Sequence, residues 1–196
     1  MANDIRFEFD EVSVAAIEKK LGAMRSKAPT VLKRALNDTA KDARKDLAKK
    51  AQETYAVKKS GLAKYARIQS ASNGNLVAII RIKDKPLPLA KKYFSVQGGH
   101  GPRGKHMKTT VIKGEPHTWG ARAFHNILGK SGHEGAAEFI GGDKKQPTRL
   151  HLKTLYTVSI PQMFGSKKRV YGVVEPNIQE NLRRNVERHI DVVLRG

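Results

Sequence analysis

Residues 29–55 read PTVLKRALNDTAKDARKDLAKKAQETY, and this stretch decides the fold. Leu32, Leu36, Thr39, Ala40, Ala43, Leu47, Ala51 and Tyr55 recur at helical spacing and form one apolar stripe. Pro29 suits the first turn of such a helix, because its missing N–H is unpaired there anyway. The alanines favour helix and let another backbone approach closely. Lys33, Arg34, Lys41, Lys45, Lys49 and Lys50 lie off the stripe and read as a solvated face rather than a DNA footprint. Lys58-Lys59-Ser60-Gly61 ends the helix.

On the N-terminal side, Ile5-Arg6-Phe7-Glu8-Phe9 alternates apolar and charged residues, the pattern of a half-buried strand. Asp10 or Ser13 caps a helix carrying Val14, Ile17 and Leu21, which Gly22 interrupts. On the C-terminal side, Arg67 to Ala71 and Leu76 to Ile82 are strands joined across Asn73-Gly74, a two-residue hairpin signal. Pro86 and Pro88 stop or edge this hairpin. Lys91 to Val96 and Thr109 to Ile112 form a second hairpin, whose tip at 98–108 is nearly all glycine and cations. Trp119 to Leu128 is a strand or a short helix, Gly135 to Ile140 a strand, and Leu150 to Val158 a partly alternating segment. Ser159 to Met163 reads as a turn. From Pro176, the residues Ile178, Leu182, Val186, Ile190 and Val193 mark a C-terminal amphipathic helix. The expected fold class is α+β in a single domain over 1–196. One antiparallel sheet packs against long N-terminal helices and a C-terminal helix, with long basic glycine-rich loops that are mobile near 97–108 and 141–148.

Charge is the dominant bulk property. The chain has 196 residues, with Lys+Arg 38 against Asp+Glu 18 and a formal net charge of +20. Such a field attracts polyanions and opposes packing between copies unless counter-charge is near. Nucleic acid is the first partner it implies, and an acidic protein or membrane surface the second. The hydrophobic share of 39% is below the globular norm, so part of the chain is expected to be exposed, mobile or ordered by a partner. There are no cysteines, which excludes disulfides and thiolate metal sites. The opening MANDIRFEFDEV lacks the basic and apolar runs of a signal peptide. No stretch has the roughly 20 apolar residues of a membrane span, so assembly in the cytoplasm without membrane contact is expected.

Catalytic chemistry finds little support in the residue spacing. His117, His125 and His133 are eight residues apart, with Glu115, Glu134 and Glu138 among them, but they lack the two-on-one-helix-face spacing of His-Glu-x-x-His. A metal-dependent nuclease using these histidines is the least favoured reading. No Gly-x-Ser-x-Gly elbow is present. The loop Gly98 to Lys105 lacks the Gly-Lys-Ser/Thr ending of a phosphate loop. No catalytic residue, metal or cofactor is expected. The strongest binding signal lies between Arg81 and Lys113, where nine cations face only Asp84. Lys91, Lys92, Arg103, Lys105, Lys108 and Lys113 are the candidate residues of a basic surface meeting DNA or a neighbouring subunit. Glycine lets such a loop follow a phosphate backbone, and no base-reading element accompanies it.

Four segments resemble one known family in the same order. They are Val31 to Ala40, Pro86-Leu87-Pro88-Leu89, Ser131-Gly132-His133-Glu134-Gly135, and Leu150 to Met163 ending in Ser159-Ile160-Pro161-Gln162-Met163. Together they are similar to the phage minor tail protein Z family over residues 30–165. Where many members place Phe and Arg after the Gly-His-x-Gly, this chain has Ala136-Ala137-Glu138. The resemblance implies a structural tail-completion protein of a long-tailed phage, acting near the head–tail junction, with no enzyme activity and no cofactor. It implies tail or neck proteins as partners, a ring of copies, and DNA in the tail lumen close by. A free, sequence-independent nucleic-acid-binding protein is the alternative.

Overall fold

A computed structural model describes residues 2–58, 61–99, 106–128, 133–141 and 151–195. The described elements are β1 (Ala2–Glu8), α1 (Glu11–Leu21), α2 (Ala28–Thr54), β2 (Ala66–Gln69), β3 (Val77–Lys83), β4 (Ser95–Gln97), β5 (Lys108–Ile112), β6 (Glu115–Thr118), β7 (Ala123–Leu128), β8 (His133–Ile140), β9 (His151–Thr154), α3 (Ile160–Phe164) and α4 (Tyr171–Leu194). The class is α+β: long helices at both ends of the chain and antiparallel strands between them.

The long helix sits at the centre. Every residue of its predicted stripe is buried, from Leu32 to Tyr55. Leu36, Ala40, Ala43, Leu47 and Ala51 join the main core with Ile5, Phe7, Ala78, Ile80 and Ile82 of the first sheet. Ala28, Val31 and Leu32 join a smaller cluster with Ile17 and Leu21 of α1 and Ile190 of α4. Thus α2 lies between a sheet on one side and two helices on the other. Alanine spacing permits this two-sided burial, because small side chains let α4 come close on the face opposite the sheet. Arg34, Lys41, Lys45 and Lys49 are exposed, as a solvated face requires.

Polar contacts set the register between α2 and α4. Asn185 Nδ2 donates to Thr39 Oγ1 at 3.1 Å in the buried interface. Asp38 Oδ2 accepts from Arg188 at 2.7 Å and from His189 Nε2 at 3.0 Å, while Asp38 Oδ1 accepts from Lys41 at 3.0 Å. Burial pushes the Asp38 carboxyl up, but the bonds from His189 and Lys41 outweigh it and hold the group below its ordinary 3.8. A depressed carboxyl stabilises the fold above its unfolded value and loses that effect as pH falls through the folded one. The stability advantage of wild type over Asp38→Asn should therefore be complete above pH 3.8 and vanish at lower pH. Melting temperature against pH for both proteins checks this; parallel curves across the acid range would count against it.

Among the described residues, three three-stranded antiparallel sheets stand in place of the single expected sheet, in the orders β1-β3-β2, β4-β5-β6 and β7-β8-β9. The strands are short, and Pro86 and Pro88 follow β3, where proline offers no N–H to continue a ladder. Other boundaries also move. Lys91 to Phe94 form a turn, leaving only Ser95–Gln97 as strand, because Tyr93 and Phe94 N–H groups bond back to Ala90 O. Ser159 to Met163 is a capped helix, not a turn: Ser159 Oγ accepts from Gln162 N, and Gln162 Oε1 accepts from Ser159 N. The final helix begins at Tyr171, ahead of Pro176, and Val174 carries it into the main core. Gly172 is required there, because a Cβ would strike the Lys167 carbonyl oxygen.

Three of the four segments singled out by resemblance contribute to one core, and Ala136, just after the other segment, bonds to two of them. Leu89 N donates to Leu155 O, Leu155 N to Ala136 O, and Ala136 N to Leu89 O, a closed set of three bonds of 2.8–3.0 Å. Leu36, Leu87, Leu89, Ala136, Leu155, Ile160 and Met163 all belong to the main cluster. Among the described residues no helix is long and apolar enough to cross a membrane.

Candidate nucleic-acid or subunit interface

The six candidate cations do not form one described patch. Lys91 and Lys92 lie exposed in the turn before β4, and Lys113 lies exposed just after β5. The end of α2 ties these places together. Lys113 N donates to Thr54 O, Ala56 N to Val111 O and Lys58 N to Tyr93 O, at 2.8–2.9 Å. Lys58 Nζ also reaches Lys91 O at 3.0 Å. No cation stands in the last turn of α2 itself, and these backbone bonds bring Lys58, Lys91 and Lys113 near its C-terminal end.

Lys108 stands at the opposite end of β5, beside Gln97 and Thr118. Five strand positions separate it from Lys113, about 17 Å at the usual rise. Arg103 and Lys105 lie outside the described residues, as do residues 100–105 of the expected loop 97–108 and 142–148 of the expected loop 141–148. The two ends of the 97–108 loop are firmly built. Gly99 O accepts from His125 N at 3.0 Å, and Met107 is fully buried, its carbonyl accepting from Trp119 N at 2.8 Å. Gly98 and Gly99 have φ of 71° and 75°, and a Cβ on Gly99 would meet Met107 Cβ at 2.9 Å. The glycines thus serve a close crossing at the loop base.

The histidines separate. His117 is exposed on β6, its ring edge-on to Trp119 at 4.8 Å. His125 is buried on β7 in a different sheet, with Nε2 3.2 Å from Glu134 Oε1. His133 opens β8 opposite Leu128. Among the described residues no group of three or more His, Asp or Glu is placed to hold a metal ion.

A second basic locus emerges that the sequence did not single out. Lys64, Tyr65, Arg67, Ile68, Gln69, Arg81 and Lys83 line a cleft of about 640 Å³ at the β2 side of the first sheet. Arg67 and Arg81 are directly opposed across β2 and β3. The signal was present as cations at alternate positions, Arg81 and Lys83 on one strand and Arg67 on the other. The pairing register that joins them was not. Compared with known proteins, the chain matches no family model, no curated protein and no solved structure.

Proposed function

We propose that this chain is a structural, non-enzymatic component of a phage virion, a minor tail or tail-completion protein working at or near the head–tail junction. The ordered resemblance of four segments to the minor tail protein Z family carries this reading. Its support from the fold is that Leu36, Leu89, Leu155 and Met163, from three of the four segments, share one core. In that role the protein takes other tail or neck proteins as partners, sits in the virion after assembly in the host cytoplasm, and has duplex DNA close by in the tail lumen. Copies arranged in a ring need counter-charge from those partners or from DNA, because a net +20 repels identical copies.

The test is deletion of the gene from the phage that encodes it, with purified particles examined by mass spectrometry and electron microscopy. The expected result is that wild-type particles contain the chain, and the deletion yields tails that fail to join filled heads. Absence of the chain from infectious particles would overturn the proposal. The alternative, a sequence-independent nucleic-acid-binding protein, is favoured by the cation cleft on the first sheet.

A further inference from the structure

We propose that the outer face of the β1-β3-β2 sheet, centred on Arg67 and Arg81, binds the phosphate backbone of duplex DNA without reading its sequence. The inference concerns the isolated chain and stands apart from the virion assignment.

The sheet is two-faced. Ile5, Phe7, Ala66, Ala78, Ile80 and Ile82 are buried toward α2, so Arg67, Gln69, Arg81 and Lys83 are left on the exposed side. Like charges placed directly opposite each other on an antiparallel pair are destabilising, with Cβ atoms about 4.5–5.5 Å apart. Arg67 and Arg81 occupy such a pair, and Lys64 and Lys83 add two more cations to the same cleft. The carboxylate beside them is Asp4, whose Oδ2 lies 3.6 Å from Arg81 Nε. Both groups are close to half exposed, 47% and 43%, so the pair is a weak one and leaves the excess charge standing. Asp4, directly opposite Arg81 on β1, offsets one of the four positive charges, and the excess that remains fits an external anion.

The chemistry of the lining selects the anion. Arginine presents a planar fork of donors that matches phosphate oxygens. Gln69 and the Tyr65 hydroxyl are neutral donors of the kind that accompany cations on a backbone. Lys64 Nζ lies 5.4 Å from the Tyr65 ring centroid, which holds that ammonium at the cleft. Arg81 and Lys83, two positions apart, repeat positive charge along the strand about 7 Å apart. Beside its four cations the cleft is lined by the half-buried Ile68 and by Tyr65, too small an apolar area to serve as the core of a protein interface. Tyr65 is its single aromatic ring, whereas single-stranded nucleic acid calls for several stacking platforms. Among the described residues the cleft is lined only by strands and the single 3-10 turn carrying Lys64 and Tyr65, with no α-helix to enter a groove and reach base edges.

The experiment is fluorescence anisotropy of a short random-sequence duplex against the full chain over a salt series. The proteins are wild type, Arg67→Gln/Arg81→Gln, and the quadruple variant that adds Lys64→Gln and Lys83→Gln. Each lost phosphate contact should reduce the slope of log K against log salt by about 0.9, so the quadruple variant should lose roughly two to four units. Lys91→Gln/Lys92→Gln/Lys113→Gln, at the end of α2, should lose less. Thermal melting gives a second readout of opposite sign. Without DNA, Arg67→Gln should melt at or above wild type, because it relieves the facing charges. With DNA, wild type should gain more than the variant. An unchanged salt slope in a quadruple variant that melts like wild type would overturn the proposal. So would polyglutamate competing as well as duplex DNA for the same residues, which would assign the face to an acidic protein. Failure of the particle-deletion test would leave this binding result intact, and loss of DNA binding would leave the tail role intact.

Discussion

Leu36→Ala and Leu47→Ala are each expected to lower the unfolding free energy by about 2–5 kcal/mol. Both side chains are fully buried in the main core, on the face of α2 that meets the first sheet. Truncation removes the transfer energy of the lost methyl groups and leaves a cavity. The surroundings are a poor source of repair. Neighbours along the stripe are Ala40, Ala43 and Ala51, too short to fill the space, and the backbone of α2 is held from the other side by α4 through Asn185–Thr39 and the Asp38 cluster. The upper half of the range is therefore expected at Leu47, which lies between Ala43, Ala48 and Ala51. Since a domain of this kind has about 5–15 kcal/mol in total, either change should be visible as a large shift in a urea or thermal transition. Unchanged melting in both variants would remove the stripe from the core.

Phe164→Ala should cost as much or more, about 3–5 kcal/mol. Phe164 ends the five-residue helix α3 and is fully buried in the main core. The helix packs against α2, β1 and β3, so the phenyl ring lies in the region where three separate parts of the chain meet. A helix this short has almost no intrinsic stability and depends on its cap and its burial. Ser159→Ala separates the two contributions. It removes the capping-box hydroxyl and should cost about 1 kcal/mol. Equal losses in the two variants would mean that the ring adds little and that the cap alone seats the helix. A larger loss in Phe164→Ala, measured by denaturant unfolding, is the expected outcome.

Local periodicity determined much of this protein. The α2 stripe, the Asp10-capped helix through Leu21, the strand alternating through Ile5 and Phe7, and the Asn73-Gly74 turn between two strands all stand where their sequence patterns put them. Each rests on residues within a few positions of one another, where side-chain direction follows the backbone period. What lacked a local signal was decided by packing. Glu115–Thr118 forms β6 with all four residues exposed, so no alternation marks it. Pro176 suggested a helix start, but burial of Val174 in the main core extends the helix back to Tyr171 against the cost of an internal proline. The Ser159–Gln162 spacing was a legible capping box, yet five residues are too few to show a helical period.

The candidate site divides in the same way. The sequence determined that cations are in large excess and crowd the segment from Arg81 to Lys113. The tertiary structure decided which of them meet. Lys91, Lys92 and Lys113 gather at the end of α2 because backbone bonds from residues 54–58 draw those two segments together, while the strand length of β5 keeps Lys108 away. The facing arginines show the division most sharply. Continued from the Ser72–Asn75 bridge beside the turn, the hairpin would set Arg67 beside Ile80, on the buried face. Between that bridge and Gln69–Ile79 the pairing shifts by one residue, and Arg67 comes to oppose Arg81. The reason is burial. A one-residue slip turns every side chain of a strand to the other face. Only the shifted register points Ala66, Ile68, Ile80 and Ile82 at α2, and it leaves the two arginines together on the outside.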